Sequence, residues 1–217
     1  MATESESLFE EFCKANDINY YREIPRSNIT GAKIPDYAII IEEEPRRIIV
    51  EVKQFDPNPD DKEQSRQLNE GRVTDVREIK WRDRVRGKIH DANKQLKARS
   101  LGRYPAMLVL YDNVQVPLPL DSEDIMEAMY GNEVVDKVIW AKKEFTTKFG
   151  DNRKCTPDHN TSSSAICTLS RSGSLLCVYH NEHAKFRIDP TWLRGPNIQH
   201  YTLGPKVQGK LPDWVEL

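Results

Sequence analysis

The sequence predicts an α/β fold in which a mixed sheet is flanked by helices, and three observations support this. Two apolar runs of strand character, 34–41 and 47–53, are joined by a short charged segment. The segment 77–99 repeats apolar residues at helical spacing. A further apolar run, 105–111, is continuous, as in a strand that is buried on both faces. Strand and helix patterns that alternate in this way are typical of α/β domains.

The elements before these runs can be predicted in chain order. The first is a helix from Glu4 to Asn16, whose core-facing residues would be Leu8, Phe9, Phe12 and Cys13. A strand follows over 18–24, where Tyr20 and Tyr21 supply β propensity. Residues 27–33 include a glycine and several polar side chains. They are therefore expected to form a loop that leads into the next strand.

The two central strands carry charged residues at informative positions. The first begins at Pro35-Asp36, and 42–46 can form a hairpin connection to the second, which ends in Glu51-Val52-Lys53. Side chains alternate between faces along a strand, so Glu51 and Lys53 should share one face while Val50 and Val52 share the other. An antiparallel neighbour can place Asp36 beside them.

Two carboxylates and one ammonium in such a cluster suit metal-assisted hydrolysis of phosphodiesters. They are costly to bury unless something compensates their charge. Magnesium takes oxygen ligands and keeps several waters, so one or two carboxylates can hold it. A neighbouring lysine can orient the attacking water or neutralise charge on the phosphate. The alternative is a surface hairpin with solvated charges, which the apolar residues Ile48, Ile49, Val50 and Val52 oppose.

With Pro35-Asp36 and Glu51-Val52-Lys53, the chain resembles the PD-(D/E)XK nuclease superfamily over roughly residues 8–111. The resemblance implies a restriction-endonuclease-like αβββαβ core, dependence on Mg²⁺ (or Mn²⁺) and cleavage of nucleic acid. Asp36 and Glu51 would bind the metal, with the Val52 carbonyl as a further ligand. Lys53 would position or activate the attacking water.

The resemblance also implies a glutamate on the N-terminal helix that reaches the metal site. Glu10, which follows Phe9, fits this pattern better than Glu11 does. The alternative is that both glutamates are solvated.

The segment 54–75 is too long for an ordinary connection, and 56–61 contains two prolines and three aspartates. Because it starts directly after Lys53, we expect a mobile flap over the site that includes a short polar helix. The alternative is a disordered insertion without a function.

The second core helix, 77–99, is expected to bind nucleic acid. Val85, Ile89, Ala92 and Leu96 would face the sheet, and the predicted phosphate-binding residues are Arg82, Arg86, Lys88, Lys94 and Lys97. Although the whole chain has a net charge of −2, residues 77–103 contain ten Lys or Arg and only three Asp or Glu. This asymmetry favours a basic contact face, whereas the alternative is a solvated helix face.

The resemblance also implies a polar residue that this helix adds to the site, as it does in many members of the superfamily. Lys88 and Gln95 are the candidates.

Residues 113–217 are expected to extend the nuclease core of residues 1–112 with strands and coil. A helix is predicted over 121–130 with Asp121 or Ser122 as its N-cap, and a strand over 134–141. A hairpin is predicted from 165–169 and 174–180. An irregular tail anchored by Trp192 and Trp214 should follow Asp189. This extension would complete the domain, and it would select the substrate or form a homodimer.

The sequence therefore predicts a magnesium-dependent nuclease, and DNA is preferred over RNA only because of the family's usual substrate. The favoured activity is that of an endonuclease. Alternatives are an exonuclease or repair nuclease on ends or branched junctions, and a non-catalytic nucleic-acid-binding subunit. No apolar run is long enough to cross a membrane, and the acidic start is unlike a secretion signal. The four cysteines are expected to be free thiols in the cytoplasm, nucleoid or nucleus, since their spacing and that of the histidines is unlike a zinc site.

Overall fold

The protein has an α/β fold with a mixed eight-stranded sheet and four helices among the described residues. The computed structural model describes residues 3–22, 35–41, 47–72, 80–100, 102–114, 119–139, 144–207 and 210–217. The helices are α1 (Glu4–Ala15), α2 (Pro59–Asn69), α3 (Trp81–Ser100) and α4 (Ser122–Tyr130). The first strands are β1 (Tyr20–Arg22), β2 (Tyr37–Ile40), β3 (Arg47–Phe55), β4 (Ala106–Asp112) and β5 (Glu133–Ile139). The others are β6 (Glu144–Phe149), β7 (Ala165–Leu169), β8 (Leu176–His180), β9 (Ile198–Leu203) and β10 (Trp214–Glu216).

The main sheet has the strand order β1-β2-β3-β4-β7-β8-β9-β10. Strands β1, β2 and β3 are antiparallel neighbours, and β4 pairs in parallel with β3 after the chain has passed through α2 and α3. Strand β7 is parallel to β4, and β8, β9 and β10 continue the sheet beyond it. Strands β5 and β6 form a separate two-stranded sheet. The main sheet therefore continues across the predicted boundary between residues 112 and 113.

Each face of the main sheet is covered by its own apolar core. On one face, Phe9 and Phe12 of α1 pack with Ile48, Val50 and Val52 of β3. On the other face, the α3 residues Val85, Ile89, Ala92 and Leu96 pack with Ile49 and Phe55. These four α3 residues are the predicted apolar stripe, and all four are buried. Alternate residues of β3 thus contact different helices, as the period of two in a strand requires.

The helix starts follow from local side-chain chemistry. Thr3 and Glu6 form a capping box at α1, which satisfies two of the N–H groups that a helix start leaves unpaired. Asn58 and Asp61 form another at α2. At α4 the Asp121 side chain accepts a hydrogen bond from the Asp124 N–H at 2.9 Å, so Asp121 rather than Ser122 is the N-cap.

One sequence prediction needs correction, and another is confirmed in part. The tail after Asp189 is not wholly irregular, because β9 and β10 lie within it and pair in the main sheet. Helix α2 occupies most of segment 54–72 and agrees with the predicted short polar helix. The predicted loop 27–33 and connection 42–46 lie outside the described residues, as do parts of the predicted elements 18–24, 54–75, 77–99 and 134–141.

The prediction of free cysteines is confirmed, since Cys13, Cys155, Cys167 and Cys177 are all unpaired thiols. In the described part of the chain, none of the helices has the length and apolar character needed to cross a membrane.

Candidate active site

Strands β2 and β3 bring Asp36 and Glu51 together on one face of the sheet. Tyr37 lies opposite Val50 in the antiparallel register, so Asp36, one residue earlier, lies next to Glu51. The Val52 N–H donates a hydrogen bond of 2.8 Å to Oδ2 of Asp36 and fixes this carboxylate against β3. Asp36 and Glu51 are close enough to interact electrostatically. The metal-binding and catalytic roles of these residues stay predictions.

Glu51 is the most deeply buried member, with an exposed fraction of 0%. Burial first, and then the charge of Asp36, raises the pKa of Glu51 to about 7, against the lowering effect of Lys53 and Gln95. Apart from these two residues, neither carboxylate oxygen has a hydrogen-bond partner in the described part of the chain. A carboxylate in this position is energetically costly unless a cation compensates it.

Lys53 lies between the buried carboxylate and solvent. Its Nζ forms an ion pair with Oε1 of Glu51, and its side chain keeps 27% of its surface exposed. Glu51 and Lys53 lie on the face of β3 that packs against α3. Ile49 and Phe55, which share this face because residues two apart on a strand point the same way, contact the helix. Asp36 is also partly buried, and this burial raises its pKa, while the bond from Val52 and the charge of Lys53 act in the opposite direction.

Helix α3 contributes two further polar residues to the surroundings of this cluster. Gln95 is buried and its side chain contacts Glu51. Lys88 is half-buried, and the charge of Lys53 contributes to the lowering of its pKa after burial itself. Residues seven apart lie nearly above one another on a helix, so the spacing of Lys88 and Gln95 is the signal that places both on this face.

The predicted role of Glu10 does not agree with its contacts. Its Oε1 accepts hydrogen bonds from Arg22 Nη2 at 2.6 Å and from the Tyr37 hydroxyl at 2.9 Å. The acidic side chain of α1 whose charge raises the pKa of Asp36 is Glu6, one helical turn earlier. The sequence contains a signal for this, because Glu6 and Glu10 are four residues apart and therefore lie on the same face of α1.

Two of the predicted phosphate-binding arginines are engaged within the fold. Arg86 is buried, which differs from the expected exposed position, and it donates hydrogen bonds to Asp83 at 2.7 Å, to the Glu127 carbonyl at 2.9 Å and to Asn132. Arg82 forms an ion pair of 2.9 Å with the Glu127 carboxylate. These contacts attach α3 to α4 and the chain after it.

The predicted lysines of α3 are arranged differently. Lys94 and Lys97 are exposed, and neither forms an ion pair with any residue that the structure describes. Lys94 and Lys97 therefore remain predicted phosphate contacts, whereas Arg86 is buried and is no longer expected to contact phosphate.

Helix α2 is held against α3, so the expected mobile flap is not a freely projecting segment over residues 59–69. Arg84 Nη2 lies 2.8 Å from both carboxylate oxygens of Asp61, whose exposed fraction is 3%. A cavity of about 260 Å³ lies next to Lys88, between α3 and the residues that lead from β3 into α2. A larger cavity of about 780 Å³ lies elsewhere, near α4 and Trp214, and none of the predicted site residues lines it.

The site supplies two carboxylates, and among the described residues no group of three or more His, Cys, Asp or Glu could hold a metal. Two carboxylates are a sufficient protein contribution for magnesium, which keeps most of its waters. The Val52 carbonyl remains a predicted ligand. A divalent cation next to an ammonium group is in general a combination suited to attack on a phosphate ester. Comparisons of the chain with protein-family models, curated proteins and solved structures found no match.

Proposed function

We propose that this chain is a magnesium- or manganese-dependent nuclease of the PD-(D/E)XK kind that cleaves DNA internally. The observation that carries the proposal is the buried carboxylate of Glu51, which lies beside Asp36 and is paired with the partly exposed Lys53. Buried carboxylates with strongly raised pKa values are concentrated at functional sites, where burial and neighbouring charges tune groups for catalysis. The succession of α1, three antiparallel strands, α3 and the parallel strand β4 supports the proposed fold relationship.

The residues of this site fit a divalent cation. Glu51 offers two oxygens that are hidden from solvent and poorly satisfied by the protein, and Asp36 adds a second carboxylate at the same sheet edge. Asp36 and Glu51 would therefore hold the ion. Bound there, magnesium would lower the pKa of a water molecule and neutralise charge on the phosphoryl oxygens.

Lys53 would act on the reacting groups rather than on the fold. Its ammonium is fixed by Glu51 on one side and reaches solvent on the other. From this position it can orient the attacking water and donate a hydrogen bond to a phosphoryl oxygen as negative charge develops there. Hydrolysis joins the water oxygen to phosphorus and breaks one P–O ester bond, which leaves a phosphate monoester and an alcohol.

The experiment that tests this proposal compares the wild type with Lys53→Ala on supercoiled DNA, in the presence and absence of magnesium. The wild type should convert circles to nicked or linear forms only with metal, and Lys53→Ala should lower the rate at saturating DNA by about 100- to 1000-fold. Lys14→Ala, which removes an exposed lysine of α1, is the control and should retain wild-type cleavage.

Substrate form distinguishes the kinds of nuclease. Cleavage of closed circles supports an endonuclease, while activity restricted to linear or branched DNA would replace it with an enzyme that acts on ends or junctions. Parallel reactions with single-stranded DNA and RNA test the assignment of the substrate. If Lys53→Ala and the wild type cleave at the same rate, the proposed site is wrong. If the wild type binds DNA but cleaves none of these substrates with either metal, a non-catalytic subunit is the better description.

A further inference from the structure

A small cavity lies where the end of β3, the start of α2 and the middle of α3 meet. Its volume is about 260 Å³. The residues that line it include Phe55, Asp56, Asn58, Arg84, Lys88 and Asp91. Phe55 lies two residues after Lys53 on β3, and the charge of Lys53 acts on Lys88, so the cavity is near the candidate active site.

Lys88 is the half-buried lysine of this cavity. Its Nζ lies 5.5 Å from the centre of the Phe55 ring, and it forms no ion pair with any described residue. Burial and the positive charge of Lys53 both lower its pKa, although Asp56 and Asp91 act in the opposite direction from a distance. An ammonium group that is half-buried near a second one is unfavourable unless an anion joins them.

The other charged residues around the cavity are Arg84, Asp56 and Asp91, of which Asp91 is an exposed carboxylate whose charge acts on Lys88. Arg84 is neutralised by Asp61, and Asp56 accepts hydrogen bonds from Gln54 and Asn113. Because the Arg84–Asp61 pair holds α2 against α3, the wall of the cavity is formed before any ligand binds. A preformed wall lowers the conformational entropy that a ligand would otherwise have to offset.

We propose that this cavity binds a backbone phosphate of the nucleic acid, next to the phosphate that is cleaved, through the ammonium of Lys88. The inference rests on the proposed function and specifies how the substrate is held. A phosphate there would accept hydrogen bonds from Lys88 and relieve its repulsion from Lys53. Because this phosphate does not react, Lys88 should stabilise the bound substrate and the transition state equally.

Binding measured without cleavage tests this inference separately from the proposed activity. A labelled 20-base-pair duplex is titrated with wild type, Lys88→Met and Lys14→Met in the presence of a chelator. Methionine keeps an unbranched side chain over Phe55 and removes the charge. Lys88→Met should raise the Kd about 10-fold, as expected for a lost hydrogen bond to a charged group, while Lys14→Met should change it less than about 2-fold.

A second measurement locates the contact on the DNA. A neutral methylphosphonate is moved along one strand of the duplex, one position at a time. In the wild type, one position next to the cleavage site should weaken binding about as much as Lys88→Met does. In Lys88→Met the same position should have no further effect, because the two partners of one contact are not additive.

These outcomes separate the two proposals. If the wild type binds DNA and Lys88→Met binds it equally well, Lys88 only covers Phe55 and the inference is wrong, while the proposed nuclease activity is unaffected. Equal sensitivity of both proteins at every methylphosphonate position would also overturn it. With metal restored, Lys88→Met should raise KM and leave kcat nearly unchanged, whereas a loss confined to kcat would contradict a role in substrate binding.

Discussion

The two faces of β3 bury their side chains in opposite ways. On the α1 face, Val50 and Val52 pack with Phe9 and Phe12 and contribute apolar burial. On the α3 face, Glu51 is equally buried but carries a carboxylate beside Asp36. The first arrangement stabilises the fold, while the second lowers its stability unless a cation is bound. The comparison indicates that the α1 face of β3 is apolar at these positions, whereas the α3 face adds a charged cluster, to which we assign the proposed chemistry, to the apolar contacts of Ile49 and Phe55.

The largest expected effect on stability is on the apolar face. Phe9 has an exposed fraction of 0%, and its ring centroid lies 5.2 Å from that of Tyr37. Phe9→Ala should lower the free energy of unfolding by about 3–5 kcal/mol, because it leaves a cavity between α1 and the sheet. Urea denaturation at several pH values measures it, and the loss should be the same at each pH. Phe9→Leu, which fills most of the volume, should cost much less. If Phe9→Ala lowers the free energy of unfolding by less than about 1 kcal/mol, packing of α1 on this face of β3 is not a main source of stability.

The next effect concerns the charged face and has the opposite sign. The pKa of Glu51 is about 7 in the folded protein, above its ordinary value of 4.5, so the folded state binds a proton more tightly than the unfolded state does. Without metal, wild-type stability should therefore fall as the pH rises through this window. Glu51→Gln cannot ionise and avoids this loss, so above pH 7 it should be the more stable protein by about 3 kcal/mol.

Chemical denaturation in chelator between pH 4 and pH 8 measures this difference. Below pH 4.5 the two proteins should be similar in stability, and Glu11→Gln, which changes an exposed residue of α1, is the control for the lost charge. Magnesium should then stabilise the wild type at pH 8 and leave Glu51→Gln unchanged, because a ligand that binds the folded state raises its stability. A stability difference that does not vary with pH would show that Glu51 does not titrate as its burial implies.

The charged face could be predicted from the sequence because its geometry is local. Glu51 and Lys53 are two residues apart on one strand, and the period of the strand alone places them together. Asp36 needed only the assumption that an antiparallel neighbour pairs with this strand. The apolar positions of α3 were equally accessible, since helical spacing identifies them without knowledge of their partners.

What the sequence did not show depends on distant partners. Arg86 looks like Lys94 in the sequence, but it meets Glu127 and Asn132, which are more than forty residues away. Glu10 was predicted from a resemblance, and Arg22 and Tyr37 engage its carboxylate instead. Strands β9 and β10 were missed because they are short and flanked by prolines and glycines, which indicate loops, although their own residues such as Tyr201 and Val215 favour strands.

The smallest expected effect extends the comparison outward from the charged face to the surface of α3. Lys94 and Lys97 are exposed and form no ion pair with the described residues, whereas Arg82 and Arg86 are engaged by Glu127 and its neighbours. Each lysine that meets a phosphate of duplex DNA releases counterions and adds about −0.9 to the slope of log affinity against log salt. The double variant Lys94→Ala/Lys97→Ala should therefore have a slope that is shallower by roughly two units.

A salt titration of duplex binding in chelator compares this variant with Lys14→Ala/Lys206→Ala, which removes the same charge from exposed positions outside α3. If only the total charge of the protein matters, both double variants should shift the slope equally. If α3 lies along the DNA, only the Lys94/Lys97 pair should shift it, and cleavage at saturating substrate should be retained because the carboxylates and Lys53 are unchanged. If the two double variants have equal slopes of log affinity against log salt, Lys94 and Lys97 do not contact the DNA. The function of the charged face would then be confined to the buried cluster and Lys88, and the outer surface of α3 would be a solvated helix face.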